Sequence, residues 1–208
     1  MNGCRPSRSV KIYVEGGGDT NNLKSECRRA FSKIFESAGL ATRMPRIVAC
    51  GSRGAAYDDF CTALRVMSAG DMVLLLVDSE GPVDVSNNGK PWSHLKARDN
   101  WDHPPGATED HVHLMVQCME NWFLADRQAL SDFYGQHFKN HSLPANPNIE
   151  QIEKSRVLDG LEKSTRDTQK GEYGKGKHSF KILEKIDVQK IMGASPWAKR
   201  FFDELLKP

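Results

Sequence analysis

The feature that most constrains the fold is a run of six apolar residues, 72–77, followed at once by Asp78 and Glu80. The run is rich in β-forming residues and is bounded by glycines, which predicts a strand buried on both faces of a sheet. Ligands of an open α/β sheet bind beyond the carboxyl ends of its strands. Residues two apart in extended backbone project to the same side, so Asp78 and Glu80 are expected to converge on a hard cation such as Mg²⁺. The alternative is that Asp78 caps a turn and Glu80 is solvated.

A second strand ends in the same way near the N-terminus. Residues 9–14 alternate in polarity and lead into Glu15 and the glycines at 16–18, after which an amphipathic helix is predicted. Parallel strands of one sheet would bring Glu15 to the same edge as Asp78 and Glu80. The glycines either cradle a phosphate with their backbone N–H groups or form a tight turn that needs positive φ. Their spacing is not that of a P-loop or of a dinucleotide fingerprint.

Arg53 stands in another glycine-flanked turn. It follows a predicted strand at residues 46–50 and precedes a second amphipathic helix. This position places Arg53 near the predicted acidic edge, where its guanidinium would neutralise a substrate phosphate. Pairing with Asp58 or Asp59 is the alternative.

Residues 81–110 contain several prolines and glycines and are predicted to form a long loop. Loops of this length in compact domains are often lids or binding segments. Basic residues alternate here with aromatic rings, among them Trp92 and Trp101. The tryptophans either stack on nucleic-acid bases or hold the loop against the core.

Glu120 follows the next predicted buried strand, residues 111–116, and has apolar neighbours. A buried carboxylate is costly unless it is paired or coordinates a metal, so Glu120 is a candidate metal ligand. His111 and His113, at alternate positions, are candidate ligands of a transition metal. Zinc is not expected, because no cysteine or third histidine stands at a suitable spacing. From residue 119 the pattern turns helical and continues to Gly135.

The chain divides by composition into a predicted α/β core, residues 1–140, and a helical C-terminal elaboration, residues 141–208. A polar segment within the elaboration carries Lys175, Lys177 and His178, which are candidates for contact with substrate. These residues either lie over the acidic edge or belong to a solvated loop.

The composition is that of a soluble globular chain: 208 residues, of which 38% are hydrophobic and 27% charged, with a net charge of +2. This weak positive charge neither requires nor excludes nucleic acid. No apolar run approaches the roughly 20 residues of a membrane span, and the basic N-terminus has no apolar segment behind it, so neither a membrane anchor nor a secretory signal is expected. Five scattered cysteines favour reduced thiols and a cytoplasmic location.

Two short motifs resemble the Toprim fold, which topoisomerases, bacterial-type primases and the overcoming-lysogenization-defect nucleases share. They are Val14-Glu15-Gly16 and the carboxylate pair in Val77-Asp78-Ser79-Glu80. The usual Toprim pair is two aspartates, so the second position departs from the pattern.

The chain resembles more widely a small Toprim-like group, the domain-of-unknown-function family 4276. Three segments carry this resemblance: residues 14–19, residues 113–126 with the distinctive sequence around Glu120, and residues 173–175. The resemblance implies an α/β, Rossmann-like and mostly parallel sheet flanked by helices. It also implies Mg²⁺ or Mn²⁺ at the acids and phosphodiester chemistry. Small Toprim-like proteins are often encoded beside an ABC-type ATPase in anti-phage systems, which implies such a partner.

The first hypothesis is therefore a metal-dependent nuclease acting on DNA or RNA, with Glu15, Asp78, Glu80 and Lys175 as catalytic residues. The metal ligands would be the three acids and Glu120, and the substrate would contact three further side chains, those of Arg53, Lys177 and His178. Water activated by the metal would attack phosphorus, while the cations stabilise the transition state.

The second hypothesis is a non-catalytic module that binds nucleic acid or an ATPase, which the glutamate at position 80 favours. A third is a phosphoacceptor or phosphatase-like domain that uses Asp78. Homo-oligomer formation stays open, as do the choice of DNA or RNA and the number of metal ions.

Overall fold

The computed structural model describes residues 9–84, 86 and 89–207. Within these residues, four strands form one sheet, in which all neighbours are parallel and the spatial order is β2-β1-β3-β4. The strands are β1 (Val10–Glu15), β2 (Arg46–Gly51), β3 (Met72–Asp78) and β4 (Val112–Met115). The first two α-helices, α1 (Asn21–Phe35) and α2 (Arg53–Arg65), connect β1 to β2 and β2 to β3. The predicted α/β fold with a parallel sheet between helices is thus confirmed.

The remaining helices follow β3 and β4. They are α3 (Pro91–Asp99), α4 (Arg127–Tyr134), α5 (Lys154–Thr165), α6 (Lys175–Leu183), α7 (Val188–Ala194) and α8 (Pro196–Leu206). The last four make up the helical C-terminal elaboration that the sequence predicts.

The strand β3 lies inside the sheet and is covered on both faces, as its continuous apolar run predicts. Leu74 and Leu76 belong to one hydrophobic cluster, which also contains buried side chains of α1, α6 and α8. Val73, Leu75 and Val77 point to the other face and pack with side chains of α2 and α3. Because successive side chains of a strand alternate between faces, one short segment contributes to both halves of the core.

The C-terminal helices close the first of these clusters. On α8, the rings of Phe201 and Phe202 lie 5.9 and 6.3 Å from the ring of Phe35 on α1. All three side chains are fully buried. The division of the chain at residues 140 and 141 stays a prediction, and this part of the core contains residues from both sides of it.

The predicted loop at residues 81–110 is not structureless, because it contains α3. Pro91 stands in the first turn of this helix, where its fixed φ favours helix entry. Trp92 is buried, and its ring nitrogen donates a hydrogen bond to the Thr108 carbonyl at 3.0 Å. Trp101 stacks on Tyr57 of α2, with ring centroids 4.3 Å apart. The tryptophans thus hold the segment against α2 and the sheet, as the second of the two alternatives proposes.

Two helix boundaries also differ from prediction. The expected helix from residue 119 to Gly135 is a 3-10 segment, Met119–Ala125, followed by α4. The break comes at Asp126, whose carboxylate caps α4 by accepting a hydrogen bond from the Ala129 N–H at 3.3 Å. The polar segment before residue 178 was expected to be a loop, yet α6 begins at Lys175.

The cysteines that the structure describes are free thiols: Cys27, Cys50, Cys61 and Cys118. Burial raises the pKa of both Cys27 and Cys50 to about 12. Cys4 lies outside the described residues. Among the described helices, none combines the length and the apolar character needed to cross a membrane.

Candidate metal centre

Three carboxylates meet at the carboxyl edge of the sheet, as the sequence predicts. Glu15 ends β1, Asp78 ends the neighbouring strand β3, and Glu80 follows two residues later. One oxygen of each lies within 4.8 Å of the others. Glu80 reaches this position from a turn, with φ at 63°, and not from extended backbone. The predicted convergence is therefore present, but its geometric cause differs from the one expected.

Asp78 is the buried centre of the group. Its Oδ1 accepts a hydrogen bond from the backbone N–H of Met119 at 2.9 Å. Burial raises the pKa of this carboxyl to about 7; Lys175 opposes the shift, while the charges of Glu15 and Glu120 add to it. A carboxylate that is so poorly solvated gains more than an exposed one from a nearby cation.

Arg53 fixes Glu15. Its Nη1 donates to Glu15 Oε2 at 3.1 Å and also to the Asp78 carbonyl. The rest of the guanidinium forms a bidentate pair with Asp99 on α3, at 3.0 and 2.7 Å, and the group lies 5.0 Å from the Trp101 ring centroid. Burial would lower the pKa of Arg53, but the hydrogen bonds and charges of Asp99 and Glu15 outweigh this effect and raise it. Asp99 and Glu15 are thus its partners, in place of Asp58 or Asp59.

Lys154, at the start of α5, neutralises Glu80. Its Nζ lies 2.7 Å from Glu80 Oε2 and 3.7 Å from Asp78 Oδ2. Partial burial would raise the pKa of Glu80, but the hydrogen bond from Lys154 overcomes this and lowers it. The side chain of Lys154 thus lies between the two acids of the predicted pair.

Lys175 lies over the cluster from α6. Its Nζ is 3.8 Å from Asp78 Oδ2 and 3.6 Å from Glu120 Oε2. Burial would lower the pKa of Lys175, but Glu120 and Asp78 together raise it. This is the placement over the acidic edge that one of the two alternatives predicts.

Glu120 is completely buried behind the cluster. The hydroxyl of Tyr173 donates to its Oε1 at 2.9 Å, whereas its Oε2 has no hydrogen-bond partner. Glu120 is not part of the three-carboxylate group. The contact with Lys175 at 3.6 Å makes it the partner of that lysine in this structure.

The sequence profile of the family described as a domain of unknown function, DUF4276, matches residues 14–206. The chain belongs to this family. The comparisons with curated proteins and with solved structures gave no match. Every residue of the acidic cluster, together with Arg53, Lys154 and Lys175, lies inside the part matched to DUF4276.

Two other predicted contact residues of this DUF4276 chain lie away from the acids. Lys177 is exposed and donates from Nζ to the Lys170 carbonyl at 3.1 Å. The ring of His178 is buried beside Tyr134 and Tyr173, and its Nδ1 accepts a hydrogen bond from the Gly174 N–H at 3.1 Å. Burial lowers the pKa of His178, as do the neighbouring lysines. His178 therefore packs inside the protein and anchors the start of α6.

The two histidines on either side of the β4 start have structural contacts. His111 Nδ1 accepts a hydrogen bond from the Thr108 N–H at 2.9 Å. His113 is buried, and its Nδ1 lies 3.1 Å from Arg200 Nη1. Neither belongs to a group of three metal-binding side chains within the described residues.

The glycines after β1 form a tight turn. Gly16 exchanges two backbone hydrogen bonds with Gly51, at 3.0 and 2.9 Å, which brings the two strand ends together. Gly17 has φ at 86°, and a Cβ there would lie 2.9 Å from the backbone of Lys24. Positive φ and close packing therefore account for these glycines, as the tight-turn alternative states.

Lys154 and Asp99 are functional candidates that the sequence did not reveal. Lys154 contacts an acid 74 residues away, and Asp99 contacts Arg53 from 46 residues away. Both stand among other charged residues at helix ends, and no periodicity or motif marks them. Only the folded chain shows that they belong to the centre.

Proposed function

We propose that this DUF4276 chain is a metal-dependent nuclease that hydrolyses phosphodiester bonds of DNA or RNA. The observation that carries the proposal is the group of three carboxylate oxygens within 4.8 Å, set at the carboxyl edge of a parallel sheet beside the lysines at 154 and 175. Acids that bind a divalent cation, together with nearby ammonium groups, would stabilise the negative charge that develops on the phosphoryl oxygens during hydrolysis.

The donor set fits a hard cation. Carboxylate oxygens are the ligands that Mg²⁺ and Mn²⁺ prefer. One further observation fits a cation at this place: Asp78 is buried, and this burial raises the pKa of its carboxyl. When bound, such an ion polarises a phosphate oxygen and lowers the pKa of a bound water. Asp78 and Glu80 are the proposed ligands, with Glu15 completing the set.

The side chains of the chain itself have distinct roles in this proposal. Glu15 is the proposed general base, which accepts a proton from the attacking water, because Arg53 holds its carboxylate in a fixed position. Lys175 binds a phosphate oxygen and stabilises the charge of the transition state. Lys154 pairs with Glu80 in this structure, and it would be free to contact phosphate if a cation took its place beside that acid.

A specific observation also favours a non-catalytic nucleic-acid or ATPase-binding module as a second candidate. Each acid of the cluster already has a cationic partner: Arg53 for Glu15, Lys154 for Glu80, and both lysines for Asp78. Three acids compensated in this way hold the edge of the sheet together with no metal. The glutamate at position 80 agrees with this alternative.

The deciding experiment is cleavage of plasmid, single-stranded DNA and total tRNA in Mg²⁺, Mn²⁺ or EDTA. Wild type is compared with Asp78→Asn, which retains the shape of the side chain and an acceptor for the Met119 N–H. Asp203→Asn is the matched control, because Asp203 forms an exposed pair with Lys199 on α8. Metal-dependent cleavage that Asp78→Asn alone abolishes supports the nuclease. Cleavage that survives Asp78→Asn contradicts it.

The resemblance to Toprim nucleases extends the proposal to a cytoplasmic anti-phage effector that works with an ABC-type ATPase. Co-expression with an ATPase encoded beside it, followed by co-purification and the same cleavage assay, tests this extension. A stable complex with altered cleavage supports the partnership. Separate elution with unchanged cleavage contradicts it.

A further inference from the structure

A cavity of about 300 Å³ adjoins the acidic cluster and opens beside it. Glu15, Asp78 and Lys175 form its polar side. Leu23 of α1, Met119 and Phe180 add apolar side chains to its lining. A ligand in this cavity would therefore touch both the proposed metal site and apolar side chains.

We propose that this cavity binds the base of an unpaired nucleotide next to the phosphate that is cleaved, so that the substrate is single-stranded nucleic acid. The inference rests on the proposed nuclease function and adds the substrate class. A flat, largely apolar base carrying an anionic phosphate matches a cavity with apolar side chains in its lining and an adjoining site for a cation. The phosphate would then lie beside Lys175, within reach of the acids that hold the metal.

The size of the cavity supports a single base. Pockets for small ligands span about 300–1,000 Å³, so this one is at the lower end and admits one base but not a stacked base pair. In a duplex, each base is stacked and paired, and it reaches a protein pocket only after it is flipped out. Unpaired bases pack against aromatic and apolar side chains at no such cost. A single strand is therefore the substrate that fits without distortion.

Gly176 lines the cavity without a side chain. It lies in the first turn of α6, and its φ is outside the left-handed region, so the backbone does not require glycine. A Cβ added there would meet only Leu23 Cδ1, at 4.0 Å. Neither backbone strain nor close packing requires glycine at this position, so a larger side chain placed there can fill the cavity.

The test fills the cavity from Gly176. Gly176→Leu is compared with Gly193→Leu on α7. Gly193 is likewise a helical glycine outside the left-handed region, it does not line the cavity, and an added Cβ there has nothing within 4 Å. Melting temperatures establish that both variants fold. Binding of a fluorescein-labelled 12-nucleotide DNA strand, about one or two site lengths for a single-strand binder, is measured by anisotropy in Ca²⁺. Its duplex is measured in parallel, and an RNA strand of the same sequence distinguishes DNA from RNA.

We expect Gly176→Leu to weaken single-strand binding about tenfold, which matches the loss of one base contact. Gly193→Leu is expected to bind like wild type, and wild type is expected to prefer the strand to the duplex. A set of strands, each with one abasic position, should contain one position at which wild type loses affinity and Gly176→Leu does not. Equal binding by wild type and Gly176→Leu, or no sensitivity to any abasic position, overturns the base pocket.

The outcomes separate this inference from the nuclease proposal. Metal-dependent cleavage of duplex and single strand at equal rates, unchanged in Gly176→Leu, leaves the nuclease intact and refutes the pocket. Single-strand binding that depends on Gly176, without cleavage in any metal, supports the pocket and refutes the nuclease.

Discussion

Replacing Lys154 with methionine removes the ammonium that neutralises Glu80 while it keeps most of the length of the side chain. The Nζ lies 2.7 Å from Glu80 Oε2, and the two side chains are 26% and 21% exposed. Exposed ion pairs contribute about 0–1 kcal/mol, and breaking a buried one costs about 3–5 kcal/mol. For this partly buried pair, we expect the free energy of unfolding without metal to fall by about 1–2 kcal/mol. In a chain of this size, that lowers the melting temperature by about 2–8 °C.

The same variant should respond more strongly to Mg²⁺. Without Lys154, the carboxylates of Asp78 and Glu80 lose a shared cation, so a divalent ion bound there relieves more repulsion than it does in wild type. The rise in melting temperature on titration with Mg²⁺ is therefore expected to be larger in Lys154→Met than in wild type. Differential scanning fluorimetry in EDTA and in increasing Mg²⁺ measures both effects.

Lys199→Met is the control, because Lys199 pairs with Asp203 on α8 at 2.6 Å and both side chains are at least half exposed. It should change the free energy of unfolding by no more than about 0.5 kcal/mol and leave the response to Mg²⁺ unchanged. If Lys154→Met behaves like Lys199→Met in EDTA, the ion pair does not stabilise the fold as argued. If it gains no additional stability from Mg²⁺, the acids do not form the proposed metal site.

Three further changes test other contacts of the centre. Asp78→Asn tests the pH dependence of stability. Burial raises the pKa of Asp78 to about 7, so its protonated form stabilises the metal-free fold at low pH. This contribution is lost as the pH rises from about 4 to about 7. We expect the variant to lack that loss, which urea unfolding at about pH 5 and about pH 8 measures. Arg53→Lys cannot hold Glu15 and the bidentate Asp99 together, so Mn²⁺ affinity, measured by calorimetry, should fall about 10–100-fold. Tyr173→Phe leaves buried Glu120 Oε1 without its donor and should lower the urea-derived free energy of unfolding by about 1–3 kcal/mol.

Two of these changes have matched controls. Arg29→Lys alters an exposed arginine that pairs with Glu184, and it should leave Mn²⁺ affinity unchanged. Tyr57→Phe removes an exposed hydrogen bond to the Asp102 carbonyl, and it should destabilise less than Tyr173→Phe. Equal effects of variant and control would show that the interactions at the centre have no special role. If the stability of wild type relative to Asp78→Asn does not fall between acidic and neutral pH, the raised pKa of Asp78 is contradicted.

The sequence alone determined the sheet and the positions of two of its acids. The apolar run of β3 has no polar alternation, so it needs cover on both faces, and the helical periodicities before and after it supply that cover. Because parallel strands end at one edge, Glu15 and Asp78 were predicted to meet without any knowledge of distant contacts. These conclusions depend on local patterns, such as apolar runs and helical periodicity, which can be read from the sequence alone.

Only the tertiary structure decided how the charges of the cluster are compensated. Lys154 meets Glu80 across 74 residues, Arg53 meets Asp99 across 46, and Tyr173 meets Glu120 across 53. Such pairs depend on where α3, α5 and the segment before α6 pack, and packing is set by the whole core and not by residue spacing. The sequence also left open whether Lys175 lies over the acids, which depends on the same packing. Secondary structure follows from patterns along the chain, whereas the electrostatics of a site depend on contacts between elements that are far apart in sequence.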